Sequence, residues 1–194
     1  MVTKLARRWS ERFVAPIVRF LARIGLTPNA LTWLGFVLTA AVAVVLASGR
    51  MQLGGACLIV TLGVDGLDGS LARMTGATSR FGAFLDSTLD RWAEVLIFGA
   101  LAWNFAGSDQ NSGTLLAMAA LAASLLVSYT RARAEGVGLP IKEGLFTRLE
   151  RLIALIAGLI LNQLVIALAI IALLAVFTAV QRIWITWRMD QVSP

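Results

Sequence analysis

The chain has 194 residues, of which 58% are hydrophobic and 14% are charged, and its mean hydropathy is +0.81. Soluble domains usually carry about 25% charged residues, so the composition excludes an ordinary soluble protein and indicates an integral membrane protein. The 17 Lys and Arg residues outnumber the 11 acidic residues, and a net charge of +6 on so apolar a chain favours anionic lipid over nucleic acid as its partner. With no histidine and a single cysteine, Cys57, the sequence excludes Ser-His-Asp catalysis and an intramolecular disulfide.

Residues 1–24 have the pattern of an amphipathic helix that lies in the membrane interface. Basic residues are spread along the whole segment, which excludes a cleavable signal peptide. The alternative is an ordinary surface helix, but the apolar stretch directly behind it favours the interfacial position. The apolar residues that recur every four positions are Leu5, Trp9, Phe13, Ile17 and Leu21.

Residues 25–194 are predicted to form one all-α domain of six transmembrane helices. A helix needs roughly 20 apolar residues to cross the hydrocarbon core. The fifth stretch is short, and its border with the sixth near Asn162 is poorly marked. The six stretches are 28–49, 53–73, 82–106, 113–134, 149–164 and 164–188.

The basic residues test this arrangement. If both termini are cytoplasmic, every Lys and Arg except Arg50 lies on or near the cytoplasmic side. This is the bias of the positive-inside rule, and an odd number of spans would destroy it. We therefore predict a multi-pass protein of the cytoplasmic membrane. Arg133, Arg151 and Arg188 are expected to anchor helix ends among lipid headgroups.

Four aspartates interrupt the second and third apolar stretches. Asp65 and Asp68 are three residues apart, and Asp86 and Asp90 are four apart, so each pair lies on one face of its helix. The short linker makes these helices antiparallel neighbours. Four neighbouring carboxylates in a medium of low dielectric need cations, and hard oxygen ligands select Mg²⁺, Ca²⁺ or Mn²⁺.

The residues around the aspartates suit a phosphate ligand. Gly66, Gly69 and Gly82 remove side-chain bulk where a ligand approaches the helices, and Arg73 can reach a diphosphate. One alternative is that the aspartates cap helices or pair with Arg73, Arg80 and Arg91. Another is an ion or proton pathway, as in an ion-coupled transporter, which would leave the glycines and arginines unexplained.

These residues resemble the signature of the CDP-alcohol phosphatidyltransferases, D-x-x-D-G-x-x-A-R followed after about eight residues by G-x-x-x-D-x-x-x-D. The six-span plan with an amphipathic first helix is also similar to that family. The resemblance implies a magnesium-dependent transferase that uses CDP-diacylglycerol, and family members are often homodimers. The matching residues are Asp65, Asp68, Gly69, Ala72, Arg73, Gly82, Asp86 and Asp90.

The resemblance also implies roles for these residues. Asp65, Asp68 and Asp86 would ligate two Mg²⁺ ions, with Mn²⁺ as the possible substitute, and Asp90 would touch the metal and act as the general base. Both Asp65 and Asp68 would also face the CDP-lipid. The other residues of the CDP-lipid pocket would be Asn29, Gly69, Ala72, Arg73 and Gly82.

The second half of the chain looks like the bacterial phosphatidylinositol-phosphate synthases. In those proteins three basic positions hold the phosphate of inositol phosphate, and the matching residues here are Arg131, Arg148 and Arg182. Arg131 stands where that subfamily usually has Lys, and Leu149 where it often has Pro. Glycerol-3-phosphate, which would make a phosphatidylglycerophosphate synthase, stays open as the acceptor, as do ester and ether lipid tails.

Overall fold

The computed structural model describes residues 15–108, 110–141 and 143–192, and in these ranges every regular element is a helix. The second to seventh helices coincide with the six predicted apolar stretches, which confirms the all-α class. The helices are α1 (15–23), α2 (Pro28–Ala47), α3 (Met51–Thr75), α4 (Arg80–Ala106), α5 (Asn111–Gly136), α6 (Arg148–Ile160) and α7 (Leu164–Val192).

Four of these helices, α2, α3, α5 and α7, are long and apolar enough to cross a membrane. α4 does not meet this criterion, and its sequence carries two aspartates, two arginines and a glutamate. α6 has only 13 residues, a length of about 20 Å against a hydrocarbon core of about 30 Å. The fifth predicted stretch, 149–164, was too long, because Asn162 adopts a left-handed backbone with φ of 61° and the chain turns there.

The described residues pack into two compact units. The first unit comprises the described part of Met1–Ala41 together with Ile59–Ala93. Its core is formed by Val18 of α1, Leu31 of α2 and Leu71 of α3, all of which are buried. α1 is therefore held by apolar packing against the first turns of α2 and the last turns of α3.

In the described part of the predicted interfacial helix, some apolar residues face the core and others are exposed. Leu21 packs against the core of the first unit, whereas Ile17 and Phe20 are exposed. Exposed apolar residues beside Arg19 and Arg23 suit a helix that lies at a membrane surface. Three residues of the predicted stripe lie outside the described residues: Leu5, Trp9 and Phe13.

The second unit comprises Val42–Leu58 together with the described residues of Glu94–Pro194. In it α7 packs against α5 and α6. Small side chains line the contact between α5 and α7, and such residues let helix backbones approach closely, as is common between membrane helices. The buried cluster consists of Ala123, Val127, Ala175 and Ala179.

Gly158 of α6 shows how tight this packing is. A Cβ atom at this position would overlap the Ala167 Cβ of α7 and would also contact the backbone at Gln163 and Leu164. The glycine is thus required by the close approach of α6 and α7 at the turn that joins them.

We predict that Gly158→Ala destabilises the protein. Overpacking a close contact costs about 1–3 kcal/mol, so the variant should unfold at a lower temperature than the parent in detergent. Gly99→Ala is the matched control, because a Cβ atom at position 99 of α4 meets nothing within 4 Å. Its unfolding temperature should stay the same or rise, since alanine favours a helix over glycine. Equal unfolding temperatures for the two variants would contradict the close approach.

Candidate functional site

A cleft of about 240 Å³ opens in the first unit between the first turns of α2, the last turns of α3 and the first turns of α4. The chain crosses from α3 to α4 through a short turn at Gly76, whose φ of 68° lies in the left-handed region. The cleft is lined by Pro28, Asn29, Thr32, Asp68, Gly69, Ala72, Arg73, Ala77, Thr78, Ser79, Gly82, Ala83 and Asp86.

Most residues predicted to bind the CDP-lipid meet in this one cleft. Asp86, which was predicted as a metal ligand, lines it as well, whereas Asp65 is not among its lining residues. The structure thus brings together residues from three helices that are separated by more than fifty positions in the chain. The predicted residues found there are Asn29, Asp68, Gly69, Ala72, Arg73 and Gly82.

Asp68 is held by two hydrogen bonds. Thr32 Oγ1 of α2 donates to Asp68 Oδ2 at 2.8 Å, and the backbone N–H of Gly69 donates to Asp68 Oδ1. A carboxylate that accepts two hydrogen bonds keeps a fixed orientation, which is what a ligand site needs from it. Sequence reasoning missed Thr32, because nothing local marks a threonine of α2 as the partner of an aspartate 36 residues away.

Gly35 brings α2 against the other aspartate of the pair. A Cβ atom at position 35 would lie 2.9 Å from Asp65 Oδ1, so a larger residue would displace that carboxylate. Thr32 and Gly35 are one helical turn apart, as are Asp65 and Asp68. α2 therefore presents one small face to both carboxylates. A glycine in the middle of an apolar helix was the one signal that could have revealed this contact.

The first turn of α4 is fixed by its N-cap. Ser79 Oγ accepts a hydrogen bond from the backbone N–H of Gly82 at 2.9 Å, which is the usual capping contact. A Cβ atom at Gly82 would lie 3.1 Å from Ser79 Oγ and 3.2 Å from Asn29 Oδ1. Glycine at position 82 thus keeps Asn29 and the start of α4 close together on the wall of the cleft.

The carboxylates of this region suit a divalent cation chemically. They offer only hard oxygen ligands, the kind that Mg²⁺ and Mn²⁺ prefer, and Asp68 and Asp86 border the same cleft. Among the residues that the structure describes, no three acidic, Cys or His side chains lie close enough to form a complete metal cage. Asp90 lies one turn beyond Asp86 and contacts Arg91 at 3.5 Å. That the four aspartates share metal ions stays a prediction.

The three predicted acceptor arginines belong to the second unit and differ in their surroundings. Arg182 of α7 is only 3% exposed; its Nη1 donates to the carbonyl of Val127, and its Nε donates to that of Glu143 at 3.1 Å. Arg131 of α5 is exposed and pairs with Glu135 at 2.9 Å. Val127 is one helical turn before Arg131 on α5, so Arg182 binds the turn of α5 that precedes Arg131.

Arg148 is half-buried and begins α6. The helix start is fixed by a capping box in which the backbone N–H of Thr147 donates to Glu150 Oε2 at 2.8 Å. This cap sets the direction of the first turn of α6, and with it the position of the Arg148 backbone.

The prediction that Arg151 anchors a helix end among headgroups was wrong. Arg151 is only 3% exposed, and its Nη2 contacts Glu94 Oε1 of α4 at 2.7 Å. Arg151 lies on the face of α6 that also buries Leu155 and Leu159, so it points into the second unit. Arg188, by contrast, is exposed and stacks over the Trp184 ring at 4.3 Å. That Arg188 anchors its helix end among headgroups stays a prediction.

Comparison with known proteins shows the family of the chain. Residues 25–187 match the model of the CDP-alcohol phosphatidyltransferase family. The chain is 41% identical over 209 residues to the phosphatidylinositol phosphate synthase of Streptomyces avermitilis, covering 100% of this chain and 85% of that protein. It is 36% identical over 185 residues to the archaetidylinositol phosphate synthase of Methanothermobacter thermautotrophicus, covering 92% of this chain and 90% of the relative.

Solved structures of the phosphatidylinositol phosphate synthase of Mycobacterium tuberculosis are similar in fold. The structure with CDP-DAG bound has a TM-score of 0.84 and 34% identity, covering 91% of this chain and 94% of that one. A structure of the same protein in complex with manganese and citrate also has a TM-score of 0.84, at 33% identity, covering 90% and 88%.

We predict that Thr32 orients Asp68 for cation binding. Thr32→Val keeps the side-chain volume but removes the hydrogen bond, and loss of such a partner typically weakens metal binding about 10- to 100-fold. Thr32→Ser keeps the hydroxyl and should bind as the parent does. Mn²⁺ titration of the purified protein, followed by electron paramagnetic resonance, measures the difference. Parent-like affinity in the valine variant would show that Thr32 does not orient the ligand.

Proposed function

Since the chain belongs to the CDP-alcohol phosphatidyltransferase family, we propose that it transfers a phosphatidyl group from CDP-diacylglycerol to a hydroxyl of inositol phosphate and releases CMP. The observation that carries this proposal is the cleft itself. Six residues predicted to bind the CDP-lipid line it, together with Asp86. The relatives named phosphatidylinositol phosphate synthase and archaetidylinositol phosphate synthase support the choice of acceptor.

The aspartates would hold the metal of this reaction. In the proposal Asp65, Asp68, Asp86 and Asp90 bind two divalent ions, Mg²⁺ or Mn²⁺, and the manganese in the structure of the Mycobacterium tuberculosis protein supports a metal at such a site. When bound, the ions neutralise negative charge on the phosphates and on departing CMP. The donor chemistry supports this, because all four side chains are hard carboxylates.

Side chains of the cleft and Asp90 have separate roles in the proposed reaction. Arg73 lines the cleft, where its guanidinium suits the diphosphate, and Gly69 and Gly82 leave room for the nucleotide beside the helix backbones. Asp90 accepts the proton of the acceptor hydroxyl as general base. The hydroxyl oxygen then forms a bond to the phosphorus on the lipid side, the bond from that phosphorus to CMP breaks, and CMP leaves with the bonding electron pair.

The acceptor phosphate would bind to Arg131, Arg148 and Arg182. Guanidinium groups match phosphate oxygens with paired hydrogen bonds. Arg182 already donates to two carbonyl oxygens, so phosphate oxygens would take over hydrogen bonds that the side chain is oriented to make. The hydrogen bond from Arg182 to Val127, one turn before Arg131 on α5, supports a shared anion site.

The proposed membrane arrangement has six spans, α2 to α7, preceded by the interfacial helix of residues 1–24. Both termini and the site face the cytoplasm, and the enzyme is a homodimer. The coincidence of the six helices with the six predicted stretches supports this plan. The sorting of every Lys and Arg except Arg50 to one side supports the orientation.

An assay of CMP release tests the function directly. The purified protein in detergent, given CDP-diacylglycerol and Mg²⁺, should release CMP when inositol phosphate is added but not with free inositol or serine. Chelation of the metal should stop the reaction. Release driven by glycerol-3-phosphate instead would keep the family and overturn the choice of acceptor.

The Asp90→Asn variant tests the general base. Its rate of CMP release should fall about 10²- to 10⁴-fold while CMP still binds, and a variant with most of its activity would rule out Asp90 as the base.

We predict that Arg148→Met raises KM for inositol phosphate. A hydrogen bond to a charged group contributes about 1.5–3 kcal/mol, which corresponds to roughly 10- to 100-fold in KM. KM for CDP-diacylglycerol should stay within twofold. Arg133→Met is the matched control, because Arg133 is an exposed arginine of α5 that has no place in the proposed site. An equal change in both variants would indicate a general effect of surface charge.

A further inference from the structure

A buried ion pair joins α4 to α6 within the second unit. Glu94 Oε1 and Arg151 Nη2 are 2.7 Å apart, and both residues are buried, at 8% and 3% exposed. A buried ion pair is weak evidence for stability, because replacing both partners with apolar residues is often neutral or stabilising. The best-attested use of such a pair is to select one arrangement of the helices over others.

Arg151 also reaches the loop that precedes α6. Its Nη1 donates to the carbonyl of Phe146 at 3.4 Å, and the Phe146 N–H donates to Thr178 Oγ1 of α7 at 3.2 Å. Thr178 lies one helical turn before Arg182. A chain of polar contacts therefore runs from Glu94 through Arg151 and Phe146 to the α7 turn that carries Arg182.

A second set of contacts holds the same loop to α7. The Leu145 N–H donates to Gln181 Oε1 at 3.1 Å, and Arg182 Nε donates to the Glu143 carbonyl at 3.1 Å. A Cβ atom at Gly144 would lie 2.8 Å from Arg182 Nη2, so a larger residue at position 144 would displace the Arg182 guanidinium. The backbone just before α6 is thus fixed by side chains of α7 and by Arg151 of α6 itself.

The positions of the two charged partners on their helices are informative. Glu94 is one turn beyond Asp90 on α4, and Arg151 is one turn beyond Arg148 on α6. A rotation or slide of α6 at this contact would move the Arg148 side chain by the same amount. An ion pair with both partners buried resists such a movement, because any other register breaks a close contact between two buried charges.

We propose that Glu94 and Arg151 are positioning residues for the phosphorylated acceptor. The pair fixes the first turn of α6, and with it Arg148, in one register against the turn of α4 that carries Glu94. Neither partner touches the substrate. This inference rests on the proposed function, since it assigns the pair to the acceptor end of that same site.

The experiment compares the buried pair with its apolar replacement. Purified parent, Arg151→Met, Glu94→Met and the Glu94→Met/Arg151→Met double variant are assayed for CMP release against inositol phosphate and CDP-diacylglycerol separately. Unfolding temperatures in detergent are measured on the same samples. Each single variant should be destabilised, because it leaves one buried charge without its partner. The double variant should recover the unfolding temperature of the parent.

The double variant distinguishes a role of the pair in acceptor binding from a role in stability alone. We expect its KM for inositol phosphate to stay raised tenfold or more, with KM for CDP-diacylglycerol and Mg²⁺-dependent CMP binding within twofold of the parent. If KM for inositol phosphate returns to the parent value along with the unfolding temperature, the pair is only structural and the proposal is overturned. The double variant provides this result even where the single variants fail to fold.

Two further variants complete the design. Arg151→Lys keeps the charge and should restore part of the affinity for inositol phosphate. Glu150→Gln removes a carboxylate from the same turn of α6 but keeps an acceptor for the capping bond, so its KM values should match the parent. A raised KM in Glu150→Gln equal to that of Arg151→Met would overturn the assignment to the pair. If the parent itself releases no CMP with inositol phosphate, the proposed function fails, and this is seen before any variant is made.

Discussion

A carboxylate on an apolar helix has to be hydrogen-bonded, paired or bound to a cation, because an isolated charge in an apolar medium is far too unfavourable. Both units of this protein are arranged around that requirement. In the first, Asp68 accepts from Thr32 and from its neighbouring backbone, and Gly35 makes room for Asp65. In the second, Glu94 is matched by Arg151. The contacts of α2 with α3 and of α4 with α6 therefore follow from the need to satisfy these carboxylates, and the periodicity of apolar residues does not explain them.

The two halves of the proposed chemistry use different kinds of residue. The cleft proposed to bind the nucleotide is lined mainly by glycine, alanine and short polar side chains, together with Arg73, so the helix backbones form much of its wall. The acceptor arginines are long side chains whose directions are set by partners, as Arg182 is by two carbonyls. Substitutions of the small cleft residues should therefore act by filling the cleft. Substitutions of the three arginines should act by changing charge and side-chain orientation.

Local patterns in the sequence predicted the helices and most of the cleft, because helix formation and the spacing of the aspartates are short-range properties. The contacts that join helices were not predicted. Thr32 and Asp68 are 36 residues apart and Glu94 and Arg151 are 57 apart, and no local spacing identifies such partners. Arg151 was misassigned because an arginine near a helix end resembles a headgroup anchor until its burial is known. The end of α6 was missed because only Asn162 and Gln163 interrupt the apolar run there, and nothing local marks the left-handed backbone of Asn162.

The charge on α4 has a consequence for how the chain is made. An acidic or basic residue at the centre of a helix opposes insertion by roughly 2.5–3.5 kcal/mol each, and α4 carries several of them. Glu94 emerges from the ribosome 57 residues before Arg151. If α4 crosses the bilayer as proposed, Glu94 meets Arg151 only after α6 has been synthesised. This ion pair therefore forms late in synthesis, when the end of the chain is being made.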